Sequence, residues 1–315
     1  MWQRLRNNRL LSPVVLIVVL IVVGIWMPSN FGYRIATLVW ISALASIGLN
    51  LLMGYAGQVS LGHAGFFGIG AYAVAVLPTR LAMNSWAALI AGAVAAALLA
   101  YVVGRPILRF KGYYLAIATL GFGILIAMVI NNEGWLTGGP DGIQVPRPVF
   151  FGWRLRGLEI WYWITGGATV IGAWLAANIL AGSTGRAMRA LQDSETAAHV
   201  AGVDVARIKL VAFVLSAVYA SVAGSCFAFS AGLITPDKAG FLYSIELVTM
   251  VVVGGMASVF GSILGAAILT MLPQMLSAFE GWETVVFGVI LMLTMIFLPS
   301  GIVPSLRHRF GRGER

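Results

Sequence analysis

Hydrophobic runs long enough to cross a lipid bilayer recur along almost the whole chain, separated by short segments rich in glycine, proline and charge. A membrane-spanning helix needs about 20 predominantly apolar residues. Division of the sequence at its polar clusters predicts ten such spans. They are residues 10–27, 35–53, 57–77, 84–104, 113–131, 160–181, 210–231, 241–258, 261–279 and 283–299. We therefore expect an all-α, polytopic membrane protein in which residues 1–315 form one transmembrane domain.

The basic residues predict how these spans are oriented. If the amino terminus lies inside, fourteen basic residues fall on the cytoplasmic side and six on the other, as the positive-inside rule requires. Both termini are then cytoplasmic, residues 132–159 form an outer loop and residues 182–209 a cytoplasmic loop. The fourteen are Arg4, Arg6, Arg9, Arg105, Arg109, Lys111, Arg186, Arg189, Arg207, Lys209, Arg307, Arg309, Arg312 and Arg315.

Composition supports a membrane protein and excludes other classes. The chain is 60% hydrophobic and only 10% charged, with a mean hydropathy of +0.92, which is far from the composition of a soluble domain. Its net charge of +9 comes from short clusters beside apolar spans, where basic residues meet anionic lipid headgroups. We therefore expect the lipid bilayer, and no nucleic acid, as a partner. Cys226 is the only cysteine, so no disulfide forms within the chain.

The sequence contains no catalytic constellation. His63, His199 and His308 lack the spacing of a metal site, and no phosphate-binding loop of the form Gly-x-x-x-x-Gly-Lys-Ser/Thr occurs. We therefore expect no enzyme activity, no metal and no cofactor.

Glu246 is the only carboxylate well inside a predicted span. A role as the coupling group of a self-contained secondary carrier is one interpretation, and a hydrogen-bonded position between helices or near the outer interface is the favoured one.

Two glycine-rich stretches indicate broken or re-entrant segments. Residues 54–72 carry closely spaced glycines together with polar side chains, and residues 254–261 separate two short apolar segments. Small residues let helices approach closely in lipid, whereas irregular backbone at membrane depth also lines aqueous paths. Packing is the favoured interpretation for any single residue, and the alternative is a translocation path. The path candidates are Asn50, Gln58, Ser60, His63 and Thr119.

The cytoplasmic loop contains a polar insert that predicts a helix from Arg186 to Ala201, stopped by Gly202. One face of this helix would carry small side chains and the opposite face charged ones. We favour docking into a groove of a partner protein over a position on the membrane surface, because an interfacial helix needs large apolar residues. The predicted small face consists of Ala187, Ala190, Leu191, Ser194, Ala197, Ala198 and Ala201. In the outer loop, aromatic and proline residues indicate either a docking surface or an interfacial aromatic belt.

Several stretches together resemble a known family. Residues 195–202 are similar to the Glu-Ala-Ala…Gly loop of ABC importer membrane subunits, although Thr196 stands between the glutamate and the alanines. Taken with residues 48–72, 136–143 and 253–261, in this order over nearly the whole chain, they resemble the LivM-type permease of branched-chain amino acid ABC importers.

The resemblance implies a permease subunit in the bacterial inner membrane, with residues 132–159 periplasmic. The implied partners are a LivH-type permease in a heterodimer, two cytoplasmic ATPase subunits and a periplasmic substrate-binding protein. Branched-chain amino acids are the implied substrates, with urea, short amides or aromatic acids as the alternative. The residues expected to couple the permease to the ATPases are Arg186, Arg189, Glu195, Ala197, Ala198 and Gly202.

Overall fold

The fold is known from a computed structural model that describes residues 11–26, 29–150, 153–154, 157–276, 288–289, 292 and 301–303. The twelve helices of this part are α1 (Leu11–Trp26), α2 (Asn30–Asn50), α3 (His63–Leu81), α4 (Ser85–Ile107), α5 (Tyr113–Asn132), α6 (Gly134–Thr137), α7 (Leu158–Ala181), α8 (Ser183–Asp193), α9 (Glu195–Val200), α10 (Val205–Ala231), α11 (Phe241–Gly254) and α12 (Val259–Leu276). A π-helical turn, Leu51–Tyr55, continues α2.

Nine of the predicted spans each coincide with one of these helices, and the tenth, 283–299, lies outside the described residues apart from isolated positions. Six of the helices are long and apolar enough to cross a membrane, counting α2 with its π-helical turn, and α1, α11 and α12 are shorter apolar helices. The expectation of an all-α polytopic protein is therefore confirmed. Both termini lie in the undescribed part of the chain, so their cytoplasmic location stays a prediction.

Helices α2 and α10 form the centre of the bundle. α10 packs against α2, α3 and α4, while α2 also contacts α7 and α12. Small residues make these contacts close: a carbon atom added at Gly48 of α2 would lie 2.3 Å from the Cβ of Tyr219 in α10. In the same way, a carbon atom added at Gly224 of α10 would clash with the backbone of Phe67 in α3. Backbone contacts of this kind replace the hydrophobic driving force that is missing between helices in lipid.

The connections gather at two ends of the bundle. The insert end carries the segment 182–204 together with the loops 108–112 and 255–258. The opposite end carries the loop 133–157 and the turn that follows α10. Together they contain four short strands: β1 (Ile143–Gln144), β2 (Val149–Phe150), β3 (Trp153–Arg154) and β4 (Leu233–Ile234). β1 pairs antiparallel with β4, and β2 with β3. The pairing of β1 with β4 ties the loop between α5 and α7 to the end of α10.

The third predicted span begins too early. Residues 57–62 are not helical, and α3 starts only at His63. Gly57 has a φ of +67°, which favours glycine and interrupts a right-handed helix. Irregular backbone at this depth is tolerated because protein surrounds it: Gln58, Ser60 and His63 are all nearly inaccessible to solvent.

Helices α11 and α12 form a tight antiparallel hairpin at the second glycine-rich stretch. A carbon atom added at Gly254 would lie 2.0 Å from the carbonyl oxygen of Gly261, and one at Gly265 equally close to that of Met250. α11 has 14 residues and is therefore about 21 Å long, which is shorter than the hydrocarbon core of about 30 Å. Its first turn lies inside the bundle, where Ser244 accepts a hydrogen bond from the backbone N–H of Ala64 in α3 at 3.0 Å. The structure thus contains the broken segment that the glycines predict.

Candidate functional site

The insert is built from two helices rather than the single predicted helix from Arg186 to Ala201. α8 ends at Asp193, and Ser194 adopts an extended conformation (φ −165°, ψ 118°) that no helix interior allows. The Ser194 side chain then caps α9 by accepting a hydrogen bond from the backbone N–H of Ala197 at 3.3 Å. Serine competes with helical hydrogen bonding through its own hydroxyl, which explains the break.

Gly202 ends the second helix as predicted. It has a φ of +82°, and its N–H donates to the carbonyl of His199 while that of Val203 donates to the carbonyl of Ala198, both at 3.0 Å. This pair of bonds is a Schellman motif, which requires a left-handed residue where glycine is favoured.

Two residues of the predicted docking face, Leu191 and Ala198, are buried against the bundle. Gly185, Met188 and Leu191 of α8 face the bundle, together with Ala198 of α9. The corner between α7 and α8 is especially close, since a carbon atom added at Gly185 would lie 2.3 Å from both Cα and O of Leu180. The expectation of one continuous small-residue face therefore fails, because the break at Ser194 rotates α9 relative to α8.

Glu195 fastens the insert to the rest of the protein. Its Oε1 pairs with the ammonium of Lys209 in α10, and its Oε2 lies 3.5 Å from the ammonium of Lys111. The side chain of Gln58 also lies close enough to this carboxylate to lower its pKa. Lys209 is 2% exposed, so its charge depends on Glu195 for compensation. Three separate segments thus converge on one carboxylate.

The environment of Glu195 favours its ionised form. Partial burial raises the pKa of the carboxyl, but the hydrogen bond and charge of Lys209, the charge of Lys111 and the side chain of Gln58 outweigh it and hold the pKa below the ordinary glutamate value. The ion pair is therefore fully formed at neutral pH.

The predicted coupling residues divide into two groups. Arg186, Arg189, Ala197 and Gly202 are exposed, whereas Glu195 and Ala198 face inward.

Sequence reasoning missed Val200, which is 83% exposed and forms the apolar tip of α9. A valine at the end of a short helix carries no signal of its own, and only the three-dimensional arrangement shows that it points away from the bundle. The residues Lys209 and Gln58, assigned to other roles, also belong to this site.

The five path candidates are buried inside the chain and form hydrogen bonds. His63 bonds to Ser60 at 2.8 Å through Nδ1 and to Ser216, near the middle of α10, at 2.6 Å through Nε2. The hydroxyl of Thr119 accepts from the backbone N–H of Leu61 at 3.1 Å. These contacts favour the packing interpretation for Ser60, His63 and Thr119.

Asn50 connects the same region to the α11–α12 hairpin. Its amide nitrogen donates to the carbonyl of Ser258 at 2.9 Å, and its amide oxygen accepts from the N–H of Ala257 at 3.0 Å. Ala257 has a φ of +58°, an uncommon conformation for a residue with a side chain. One buried side chain therefore holds the turn of the hairpin against the end of α2.

Comparisons with known proteins agree with this architecture. A family model described as "Branched-chain amino acid transport system / permease component" matches residues 31–299. The chain is 34% identical to the high-affinity branched-chain amino acid transport system permease protein LivM of Escherichia coli strain K12, over 93% of this chain and 75% of that protein. It is 26% identical to the corresponding LivH of Salmonella typhimurium, over 83% of this chain and 90% of the relative.

A more distant relative is the autoinducer 2 import system permease protein LsrC of Klebsiella pneumoniae, at 27% identity over 66% of this chain and 59% of the relative. No solved structure matches the chain significantly.

Proposed function

Because the chain belongs to the family of permease components of branched-chain amino acid transport systems, we propose that it is the LivM-type subunit of an ATP-driven importer. It is a non-enzymatic, multi-pass permease of the inner membrane. In the proposed assembly it pairs with a LivH-type permease, two cytoplasmic ATPases and a periplasmic substrate-binding protein. The substrates are branched-chain amino acids, as the names of the relatives state for those proteins.

The observation that carries the coupling part of this proposal is the shape of the insert. α9 is held by its inward side chains, Glu195 and Ala198, and presents Ala197 and Val200 outward. A short helix with a small apolar tip fits a groove on a partner protein. The exposed Arg186 and Arg189 flank it on α8 and favour an acidic rim around that groove. We place the insert end in the cytoplasm, where the ATPases are.

The Glu195 cluster supplies the route for movement. A partner that displaces α9 also moves Gln58, whose side chain lies beside Glu195, and with it the segment 56–62. This segment continues from the π-helical turn that follows Asn50, and Asn50 holds the turn of the α11–α12 hairpin. Movement at the insert therefore reaches a broken helix inside the membrane through a continuous set of contacts.

The test is reconstitution of the full assembly in liposomes with the binding protein outside and ATP inside. ATP-dependent uptake of radiolabelled leucine is expected for the wild type. Val200→Glu places a charge at the apolar tip and should reduce uptake about tenfold or more, with loss of ATPase subunits during purification.

Leu233→Glu is the matched control, because Leu233 is also exposed but lies in β4 at the opposite end. This variant should retain the ATPases. Normal uptake and normal ATPase retention in Val200→Glu would contradict docking through α9, and absence of leucine uptake by the wild type would contradict the proposed substrate.

A further inference from the structure

A cavity of about 180 Å³ lies between α2, α11 and α12 and is not part of the insert site. Its lining includes the apolar side chains of Leu38, Ile41 and Leu269. It also includes one cationic and one anionic side chain, Lys238 and Glu246. A cavity that combines an apolar wall with a few convergent polar groups is the usual form of a small-molecule site.

Along the axis of α2, the cavity lies several turns from the start of the helix. Leu38 and Ser42, which line it, follow the start of α2 at Asn30 by distances of about 12 and 18 Å at 1.5 Å per residue. Half the hydrocarbon thickness of a bilayer is about 15 Å. Ionisable side chains at such a depth are costly unless a partner or a ligand compensates them, and they commonly mark the site of a transported solute.

Lys238 reaches this depth because the chain between α10 and α11 turns inward. It belongs to a 3-10 turn, Pro236–Ala239, that packs against α3 and α5. Its ammonium lies 4.8 Å from the ring centre of Tyr243 and 5.6 Å from that of Phe227. Aromatic faces stabilise a cation without neutralising its charge. Within the described part of the chain Lys238 forms no salt bridge.

Glu246 has the complementary property. It lines the same cavity as Lys238, yet it makes no direct ion pair with any described residue. The buried hydroxyl of Thr270, which also lines the cavity, has no hydrogen-bond partner among the described residues. Unused hydrogen-bonding capacity of a lysine, a glutamate and a threonine thus surrounds one small space.

We infer that this cavity is a binding site for a zwitterionic α-amino acid with an aliphatic side chain. This inference rests on the proposed function. Lys238 binds the carboxylate, with the amino-terminal end of α11 favouring the same negative charge. Glu246 binds the ammonium group. Leu38, Ile41 and Leu269 contact the aliphatic side chain. A zwitterion satisfies both charges at once and leaves the site neutral.

The test is ligand-observed saturation-transfer NMR on the complete permease and ATPase complex in lipid nanodiscs, without the soluble binding protein. Leucine should bind, and leucinamide, which lacks the carboxylate, and 4-methylpentanoate, which lacks the ammonium, should each bind about tenfold more weakly or worse. Lys238→Met should remove the preference for leucine over leucinamide, and Glu246→Gln the preference for leucine over 4-methylpentanoate.

Arg34→Met and Glu159→Gln are the matched controls, since both residues are exposed at the ends of their helices near the same end of the bundle. They should leave both preferences unchanged. Lys238→Arg keeps the charge and should retain leucine binding if Lys238→Met fails to assemble. Equal binding of the three ligands to the wild type, no binding of leucine, or unchanged preferences in Lys238→Met and Glu246→Gln would each overturn the inference.

Uptake measurements separate this inference from the proposed function. If the wild type binds leucine with the expected preferences but shows no ATP-driven uptake, the cavity assignment stands and the importer assignment is wrong. If uptake is ATP-driven and both variants keep wild-type preferences, the importer assignment stands and the cavity assignment is wrong.

Discussion

At the scale of single residues, Glu195 shows how the context of a side chain decides its role. The sequence places it in a loop that resembles the ATPase-docking loop of ABC importers, which implies a role in coupling. In the structure it faces inward and compensates the buried Lys209. The sequence pattern does not contain this pairing, because Lys209 and Lys111 approach Glu195 only through tertiary packing.

Removal of the Glu195 charge should destabilise the protein. Glu195→Gln leaves the ammonium of Lys209 buried without a carboxylate, and the expected loss is about 1–3 kcal/mol of unfolding free energy. Thermal unfolding of the detergent-solubilised protein measures it. Asp193→Asn is the control, because Asp193 is exposed and only two residues away, and it should change stability by less than about 0.5 kcal/mol. Equal stability of the two variants would show that the ion pair contributes nothing.

The same residue predicts a pH dependence. The pKa of Glu195 is lowered in the folded state, so its stabilising contribution is fully present above the ordinary glutamate value of 4.5. That contribution is lost as the pH falls below 4.5 and through the lower folded-state pKa. The stability difference between wild type and Glu195→Gln should therefore shrink in that acidic range and stay constant between pH 6 and 8. A difference that is unchanged at the acidic end would contradict this assignment.

At the scale of helices, glycines decide where elements meet. The predicted spans located the hydrophobic segments to within a few residues, since bilayer length constrains them strongly. The insert was less predictable, because both one helix and two helices satisfy its pattern of small residues. Only the structure shows that Ser194 caps a second helix through the N–H of Ala197. It also shows that Gly185 packs against the backbone of Leu180.

Gly185→Ala should disturb the corner between α7 and α8. The added methyl would lie 2.3 Å from backbone atoms of Leu180, which cannot move away as a flexible side chain would. We expect a loss of about 1–3 kcal/mol in stability, as for other overpacked sites, and weaker retention of the ATPases. Gly182→Ala is the control, because its added carbon would lie 3.4 Å from the nearest atom at an unstrained φ of −79°. Thermal unfolding and co-purification measure both effects, and equal behaviour of the two variants would refute the close approach.

At the scale of the whole molecule, the insert and the membrane-embedded hairpin are joined by few contacts. Glu195 lies beside Gln58, the segment 56–62 follows the π-helical turn, and Asn50 holds residues 257–258 of the hairpin turn. Under the proposed function, these contacts transmit ATPase movement to the path.

Asn50→Ala should therefore uncouple ATP hydrolysis from transport. It removes both bonds to the hairpin turn while the insert keeps its own contacts, so the ATPases should remain bound and hydrolyse ATP with leucine uptake reduced about tenfold. The measurement is the ratio of leucine transported to ATP hydrolysed in liposomes. Asn132→Ala, at an exposed position near the opposite end, should leave this ratio unchanged. A normal ratio in Asn50→Ala would show that the coupling route does not pass through Asn50.

The sequence by itself determined the membrane environment of the chain, its helical class, most span positions and the family. Bilayer thickness and the hydrophobic pattern constrain these properties locally. Only the tertiary structure decided that the polar residues around His63 are buried and hydrogen-bonded, that Glu195 faces inward and that Lys238 and Glu246 share one cavity. The physical reason is that burial and charge compensation depend on residues distant in sequence. Lys238 illustrates this: its sequence position marks an outer loop, and the inward turn before α11 brings its charge to the depth of the α2 segment around Leu38 and Ser42.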